Sequence, residues 1–448
     1  SCSQPYDSER YGQYRMKFIV DPGGSLSGTI RVPGDKSMSH RTVMLGALAN
    51  GTTKASGFLE GQDALCTVQA FKDMGVTIRG PIDGYIEIDG VGLHGLKAPE
   101  AVLDMGNSGT SIRLLSGLMA PQAFDTTMTG DVSLQKRPMG RVTVPLEQMG
   151  AVIESDGGKP PLRIKGSQRL KGIHYEMPIA SAQVKSCVLL AGLYAEGRTS
   201  LVEPAPTRDH TERMLRGFGY DVDCENDVIS IQGGGSLQAT TLDIPADISS
   251  AAFFLVAATI SKGSDVTLEH VGMNPTRSGV ITILTLMGAN IDVFNEREVG
   301  GEPVADLRVR SAALTGIVIP EELVPLAIDE FPVLFVAAAC ASGRTVLSGA
   351  EELRVKESDR IASMAEGLTR LGIETEVFED GIIIAGGEMT GGQVDTFHDH
   401  RIAMSFAVAA LRATGAIQIN DCDHVATSFP GFASLARRVG FHIVEAFD

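Results

Sequence analysis

The chain has 448 residues, 43% of them hydrophobic and 21% charged, which is the make-up of an ordinary globular protein and not of a disordered or fibrous one. That length exceeds what one hydrophobic core usually supports, so two domains are expected. A formal net charge of −17 speaks against nucleic acid or an anionic membrane as partner, and any anionic ligand needs positive charge gathered locally. The six cysteines (Cys2, Cys66, Cys187, Cys224, Cys340, Cys422) show no CxxC or zinc spacing. Cys187 and Cys340 lie in apolar runs and read as buried, inert thiols, as expected of a reducing, cytoplasmic compartment. The longest apolar stretch, Ala251 to Ile260, is too short to span a bilayer, and no secretory signal is visible.

Residues 1–15 are polar and precede Met16; they are expected to be a tail or cloning remnant with no role in the fold. Beyond them a pattern repeats six times. A polar or small anchor followed by an apolar stretch recurs at Asp35, Asn107, Ala180, Asp247, Asp329 and Asp399, at intervals of 67 to 82 residues. In five copies a glycine follows the stretch (Gly51, Gly197, Gly263, Gly343, Gly415) and is expected to end the helix. Each copy then shows a second helix ending in glycine, at Gly75, Gly150, Gly219, Gly288, Gly372 and, less regularly, Gly440. A short β-prone stretch such as VTIRG or IDVFN comes next. Each repeat therefore reads strand, helix, strand, helix and one or two strands, with the anchor or a nearby Ser capping the first helix. First helices such as SSAAFFLVAATI and FPVLFVAAAC are apolar all round and must be buried, whereas second helices such as ESDRIASMAEGLTRL are amphipathic. The fold class is α/β, with helices inside and sheets outside, three repeats to a domain. A stacked solenoid is the alternative, but units of about 70 residues are long for that architecture and the terminal copies lack a polar capping face.

Parallel first helices bring their N-termini to one end of a domain, where free N–H groups and helix dipoles favour phosphate. Basic residues cluster near the anchors or between the paired helices: Lys36, Arg41, Arg113, Arg137, Arg208, Lys356, Arg360 and Arg401. So many cations imply two or more bound phosphates. Taken singly each motif has a plainer explanation: GDKS as a capped helix start, Gly106–Gly109 as a tight turn, Asp329 as an N-cap, Glu357 as a surface residue. His40, His210, His398 and His400 read as ordinary polar residues, and no metal-ligand cluster is expected.

From about Ser25 to Phe441 the motifs VPGDKSMSHR, GNSGTSIRLL, QKRPMGR, ASAQVKS, TRDHTERM, AIDEFP, RVKESDR, DHRIAMSF and TSFPGF resemble, in order, the 5-enolpyruvylshikimate-3-phosphate synthase family. SAQVKS, TRDHTE and IDEFP resemble its second bacterial class. The resemblance implies a two-domain inside-out α/β barrel of six βαβαββ repeats that closes around its substrates. The implied domains are 34–245, and 16–33 with 246–448, the chain crossing near Pro33 and Pro245. Lys36, Ser37 and Arg41 are implied to hold shikimate 3-phosphate, with Lys36 also reaching phosphoenolpyruvate. Ser181, Gln183 and Arg208 are implied at the sugar-like phosphate, and Asp329 and Lys356 at the shikimate hydroxyls. Gly109, Arg137, Arg360 and Arg401 are implied to enclose phosphoenolpyruvate. One departure stands out: many members carry a lysine where this chain has Ala426, Thr427 and Ser428.

The implied reaction adds a hydroxyl to C2 of an enol, protonates C3, then expels phosphate with loss of a C3 proton, so it needs a base and an acid. Asp329 fits as base at the hydroxyl and Glu357 as proton donor to C3, with Lys36 sharing proton transfer if neighbouring cations lower its pKa. No metal or organic cofactor is required, and a monomer is expected. Sensitivity to glyphosate, which inhibits many family members, is left open. The competing enzyme on this scaffold, UDP-N-acetylglucosamine enolpyruvyl transferase, typically uses a loop cysteine, and DVSLQKR before Pro138 has none. A non-catalytic phosphate-binding protein is the other alternative, against which Asp329, Glu357 and Lys36 are all intact.

Overall fold

The structure, a computed structural model, describes residues 15–448; residues 1–14, and with them nearly all of the expected tail, lie outside the described residues. The described chain divides into two compact units. Unit one comprises 34–244 with the hairpin tip 298–302, and unit two comprises 15–33, 245–297 and 303–448.

Unit one carries six helices: α1 (Lys36–Leu48), α2 (Gln62–Asp73), α3 (Gly109–Met119), α4 (Gly140–Gln148), α5 (Ala182–Gly192) and α6 (His210–Gly217). The odd-numbered three are buried on nearly every face, because their sequences offer no polar side to water. Their partners α2 and α4 bury one face only. Each sheet follows one plan. Leu103–Asp104 runs parallel to Thr126–Thr129, which is antiparallel to Lys159–Ile164, and Ile153–Asp156 completes the order. His174–Glu176, Arg198–Val202, Val228–Gln232 and Asp223–Glu225 repeat it. In the first sheet the parallel partners of Ala49–Ser56 come from the end of the unit, Leu237–Gln238 and Thr241–Asp243.

Unit two repeats the plan with α7 (Ile248–Ile260), α8 (Gly279–Leu286), α9 (Phe331–Ala339), α10 (Arg360–Arg370), α11 (His400–Ala409) and α12 (Phe432–Val439). All residues of α7 and α9 are buried, and α7, α9 and α11 pack on one another. The strands Met16–Asp21 and Ser27–Ile30 belong to this unit. The first pairs with Ile417–Asn420 and His442–Phe447, the second with Asp265–Gly272. In the sheet of Arg344–Leu347 and Gly381–Ala385 the parallel strand shrinks to isolated bridges, Thr315 to Ser342 and Val318 to Val346. The fold is thus six βαβαββ repeats, three per unit, with buried helices and sheets outside.

All six glycines after the second helices have left-handed backbone, φ between 79° and 129°, which a Cβ would strain. The glycines after the first helices do not cap them as expected. Helix α1 already ends at Leu48 and α7 at Ile260, so Gly51 lies within the strand Ala49–Ser56 and Gly263 in the turn after α7. The first helices are capped by Asp35, Ser108, Ser181, Asp247 and Asp399, whose side chains each accept a backbone N–H. Asp329 is the exception. It lies in the short 3-10 turn Ile328–Glu330 ahead of α9, and no side chain caps that helix.

Helices α3 and α5 approach so closely that a Cβ on Gly117 would lie 2.3 Å from the carbonyl oxygen of Cys187. Helix propensity alone predicts that Gly117→Ala stabilises by about 1 kcal/mol. A clash with backbone has no rotamer of escape, and overpacking costs about 1–3 kcal/mol, so a net loss is expected. The urea midpoint of the variant should fall; a raised midpoint would show that the two helices part freely.

Candidate active site

In unit one the first turns of α1, α3 and α5 are stitched together by side chains. His40 Nδ1 of α1 lies 2.9 Å from Thr67 Oγ1 and 3.3 Å from Ser111 Oγ of α3. Arg41 of α1 donates from Nε to Thr211 Oγ1 (2.8 Å) and from Nη2 to Ser186 Oγ of α5 (3.1 Å). Gln183 of α5 donates to Thr110 Oγ1 (3.0 Å) and accepts from Arg113 Nη1 (3.0 Å), both on α3. Three helix N-termini therefore meet, as the apolar patterning requires.

Three arginines at this end, Arg41, Arg113 and Arg137, are held by neutral oxygens. Arg41 is buried and bonds only two hydroxyls and the Ser37 carbonyl, and burial lowers its pKa to about 10. Arg137 Nη2 donates to Asn107 Oδ1 at 3.0 Å. Arg113 has its pKa lowered first by burial and then by Arg137 and Arg141. An added Cβ on Gly109, the first residue of α3, would lie 2.7 Å from Arg113 Nη1 and 2.9 Å from Arg137 Nη1. Two guanidiniums that repel each other thus converge on a helix N-terminus, and an anion there would relieve the repulsion. Ser181 caps α5 with its hydroxyl, and Arg208, half-buried, is close enough to Arg41 to weaken its charge.

Lys36 does not stand among cations alone. Its Nζ lies 2.7 Å from Asp63, whose carboxyl burial would push up but Lys36 holds below the usual range. Motif reading missed this carboxylate beside Lys36. Fully buried Lys185 likewise sits between Glu203 (3.0 Å) and Glu212 (3.1 Å), bracing ASAQVKS against TRDHTERM.

Unit two gathers its charges on one buried guanidinium. Arg360 Nε donates to Asp399 Oδ2 (2.9 Å), Nη2 to Glu357 Oε2 (2.6 Å), and Nη1 reaches Asp329 Oδ1 at 3.5 Å. Burial works against this charge, but Glu357 and Asp399 together hold its pKa above the ordinary arginine value. In return Arg360 holds the Glu357 carboxyl below its usual value, although burial alone would raise it. Half of the Glu357 side chain remains accessible. Arg401 Nη1 donates to the Asp329 carbonyl at 3.3 Å. Lys356, by contrast, lies with Nζ 3.9 Å from Glu352. Asp399, legible only as a repeat anchor, proves to cap α11 and to be the most buried partner of Arg360.

Residues 20–435 match the profile of EPSP synthase (3-phosphoshikimate 1-carboxyvinyltransferase). The chain belongs to the EPSP synthase family. Among its relatives is the 3-phosphoshikimate 1-carboxyvinyltransferase of Methylococcus capsulatus, 65% identical over 95% of this chain and 98% of that protein. The enzyme of the same name from Alkalilimnicola ehrlichii is 66% identical over 95% of this chain and 96% of its own length. Among solved structures, EPSP synthase from Acinetobacter baumannii superposes with a TM-score of 0.92 at 59% identity, covering 96% of this chain and all of that one.

The buried histidine gives this family member a testable acid sensitivity. Burial, and next Lys36, push the pKa of His40 down to about 3, below its unfolded value of about 6.5. Between those values only the unfolded chain binds the proton, so stability falls as pH drops below 6.5. His400, lowered to about 4 chiefly by burial, acts in the same sense. From pH 6 to 5, above most carboxylate titration, each histidine contributes a slope of up to about 1.4 kcal/mol per pH unit. His40→Gln should lower that slope by close to one proton in urea unfolding curves; an unchanged slope would mean that His40 protonates in the folded protein.

Proposed function

We propose that this chain transfers the enolpyruvyl group of phosphoenolpyruvate to the 5-hydroxyl of shikimate 3-phosphate and releases phosphate, the reaction of its family. The observation that carries this reading is the Arg360 cluster, in which one buried guanidinium holds both candidate acid–base carboxylates. Asp329 takes the 5-hydroxyl proton as that oxygen attacks C2, and Glu357 delivers a proton to C3. Phosphate then leaves C2 as a C3 proton returns to Glu357, restoring the double bond. In the free protein Arg360 keeps Glu357 ionised. Phosphoenolpyruvate would draw Arg360 and Arg401 to its own charge, which lets the Glu357 pKa rise into the range of a proton donor. Lys36, Ser37, Arg41, Ser181, Gln183 and Arg208 hold shikimate 3-phosphate, and Gly109 and Arg137 join the phosphoenolpyruvate site. Lys356 contacts the shikimate hydroxyls with Asp329.

The same reading makes the chain a cytoplasmic monomer with domains 34–245 and 16–33 plus 246–448. Among the described residues no helix is long and apolar enough to cross a membrane. A UDP-N-acetylglucosamine substrate is disfavoured by relatives at 65 and 66% identity that bear the shikimate name. Asp329→Asn and Glu357→Gln should each keep the dissociation constant for shikimate 3-phosphate within a few-fold while lowering turnover by about 10²–10⁴. A variant working at the parent rate would remove its residue from the mechanism.

A further inference from the structure

The proposed reaction leaves one group of side chains in unit two unused. The loop entering α11 carries His398, and the segment after the strand Ile417–Asn420 carries Asp421 and His424. His398 Nδ1 pairs with the Asp421 carboxylate. The rings of His398 and His424 meet edge to face, centroids 5.5 Å apart and planes at 90°. One potential ligand atom from each of the three side chains lies within 4.8 Å of the other two, and no other trio of His, Cys, Asp or Glu among the described residues comes so close.

The backbone around the trio is built to hold it. Phe397, His398 and Asp421 all have left-handed φ, 54°, 60° and 58°, a conformation non-glycine residues adopt at some cost. Thr396 Oγ1 donates to the Asp421 carbonyl at 2.7 Å and joins the two segments directly before the metal-type donors. Cys422 N donates to Met16 O at 2.8 Å, which fixes Asp421 from its other side. His424 starts from the 3-10 turn Asp423–Thr427. A surface ion pair accounts for His398 and Asp421, but not for the second imidazole turned onto the first.

We propose that His398, Asp421 and His424 form a binding site for a divalent transition-metal ion of the zinc type, separate from the residues assigned to the substrates. Two imidazole nitrogens and one carboxylate oxygen suit Zn²⁺, Ni²⁺ or Co²⁺, whereas Mg²⁺ and Ca²⁺ prefer oxygen alone. Ion binding needs small side-chain rotations: the His398–Asp421 pair, now in direct contact, opens so that the ion enters between its nitrogen and oxygen at typical lengths of about 2.0–2.2 Å. Water fills the remaining position, and the ion links the loop entering α11 to the segment after Ile417–Asn420.

The test uses the full chain, stripped of metal by chelator and titrated with Zn²⁺ against a chromogenic indicator at neutral pH. One ion should bind per chain at about micromolar affinity, Ni²⁺ should compete, and about millimolar Mg²⁺ should not. His398→Asn, Asp421→Asn and His424→Asn should each weaken binding by about tenfold or more. Asparagine tolerates left-handed backbone, so the metal-free melting temperature of each variant should stay at the parent value. The Co²⁺-loaded parent gives a readout that needs no variant: the intense visible bands of a four-coordinate site are expected. Absence of Zn²⁺ uptake, equal uptake by parent and variants, or the pale spectrum of six-coordinate aqueous Co²⁺ would each overturn the proposal.

Discussion

Everything in this molecule follows from six helices that are buried on nearly every face. A helix such as α7, buried at every one of its residues, cannot lie on a surface, so the strands of its repeat must cover it. With the flanks apolar, the helix ends become the places where polar chemistry can stand. In unit one the N-terminal turns of α1, α3 and α5 meet, held by the Arg41–Ser186, Gln183–Thr110 and His40–Ser111 contacts. A chain with a net charge of −17 thereby presents a cationic end. Free N–H groups and dipoles contribute about half a charge per helix, and the arginines add whole ones.

The two units treat their arginines differently. In unit one Arg41, Arg113 and Arg137 are held by hydroxyls, carbonyls and amides, so on the proposed reading a phosphate displaces no carboxylate from them. In unit two Arg360 is already satisfied by Asp399, Glu357 and Asp329. Asp399 is fully buried and its carboxyl is held below the usual range by Arg360 despite the opposing effect of burial, so that bond anchors the guanidinium. Glu357 on the same guanidinium is half accessible, and on the proposed mechanism it is the partner that a substrate phosphate replaces. On the proposed mechanism this exchange converts a tethered carboxylate into a proton donor, so ligand arrival and acid activation are one event.

Much of this was legible in the sequence. Period, capping residues and apolar helices reveal the inside-out repeat, because a buried helix must be apolar and a helix start needs an oxygen at Asp35, Ser108, Ser181, Asp247 or Asp399. Asp329 kept its place as a repeat anchor yet does not cap its helix, and its carboxylate reaches Arg360 instead. Partners brought together across the fold were not legible. Asp63 meets Lys36 from the next helix, Thr211 meets Arg41 from 170 residues away, and no local pattern marks either. His398, Asp421 and His424 lack metal-type spacing for the same reason; only the pairing of Ile417–Asn420 beside Gly392–Asp395 aligns their loops. The parallel strand that closes unit one was also hidden, since Leu237–Gln238 joins the sheet of Ala49–Ser56, remote in sequence.

The central claim is that this cationic, acid–base-equipped scaffold moves an enolpyruvyl group by addition and elimination. Its most direct test is phosphate release from phosphoenolpyruvate in D₂O, followed alongside the deuterium content of the product's vinyl methylene. Release that depends on shikimate 3-phosphate, with deuterium entering that methylene, is the predicted result. Release that requires UDP-N-acetylglucosamine instead, or a product free of deuterium, would contradict the account.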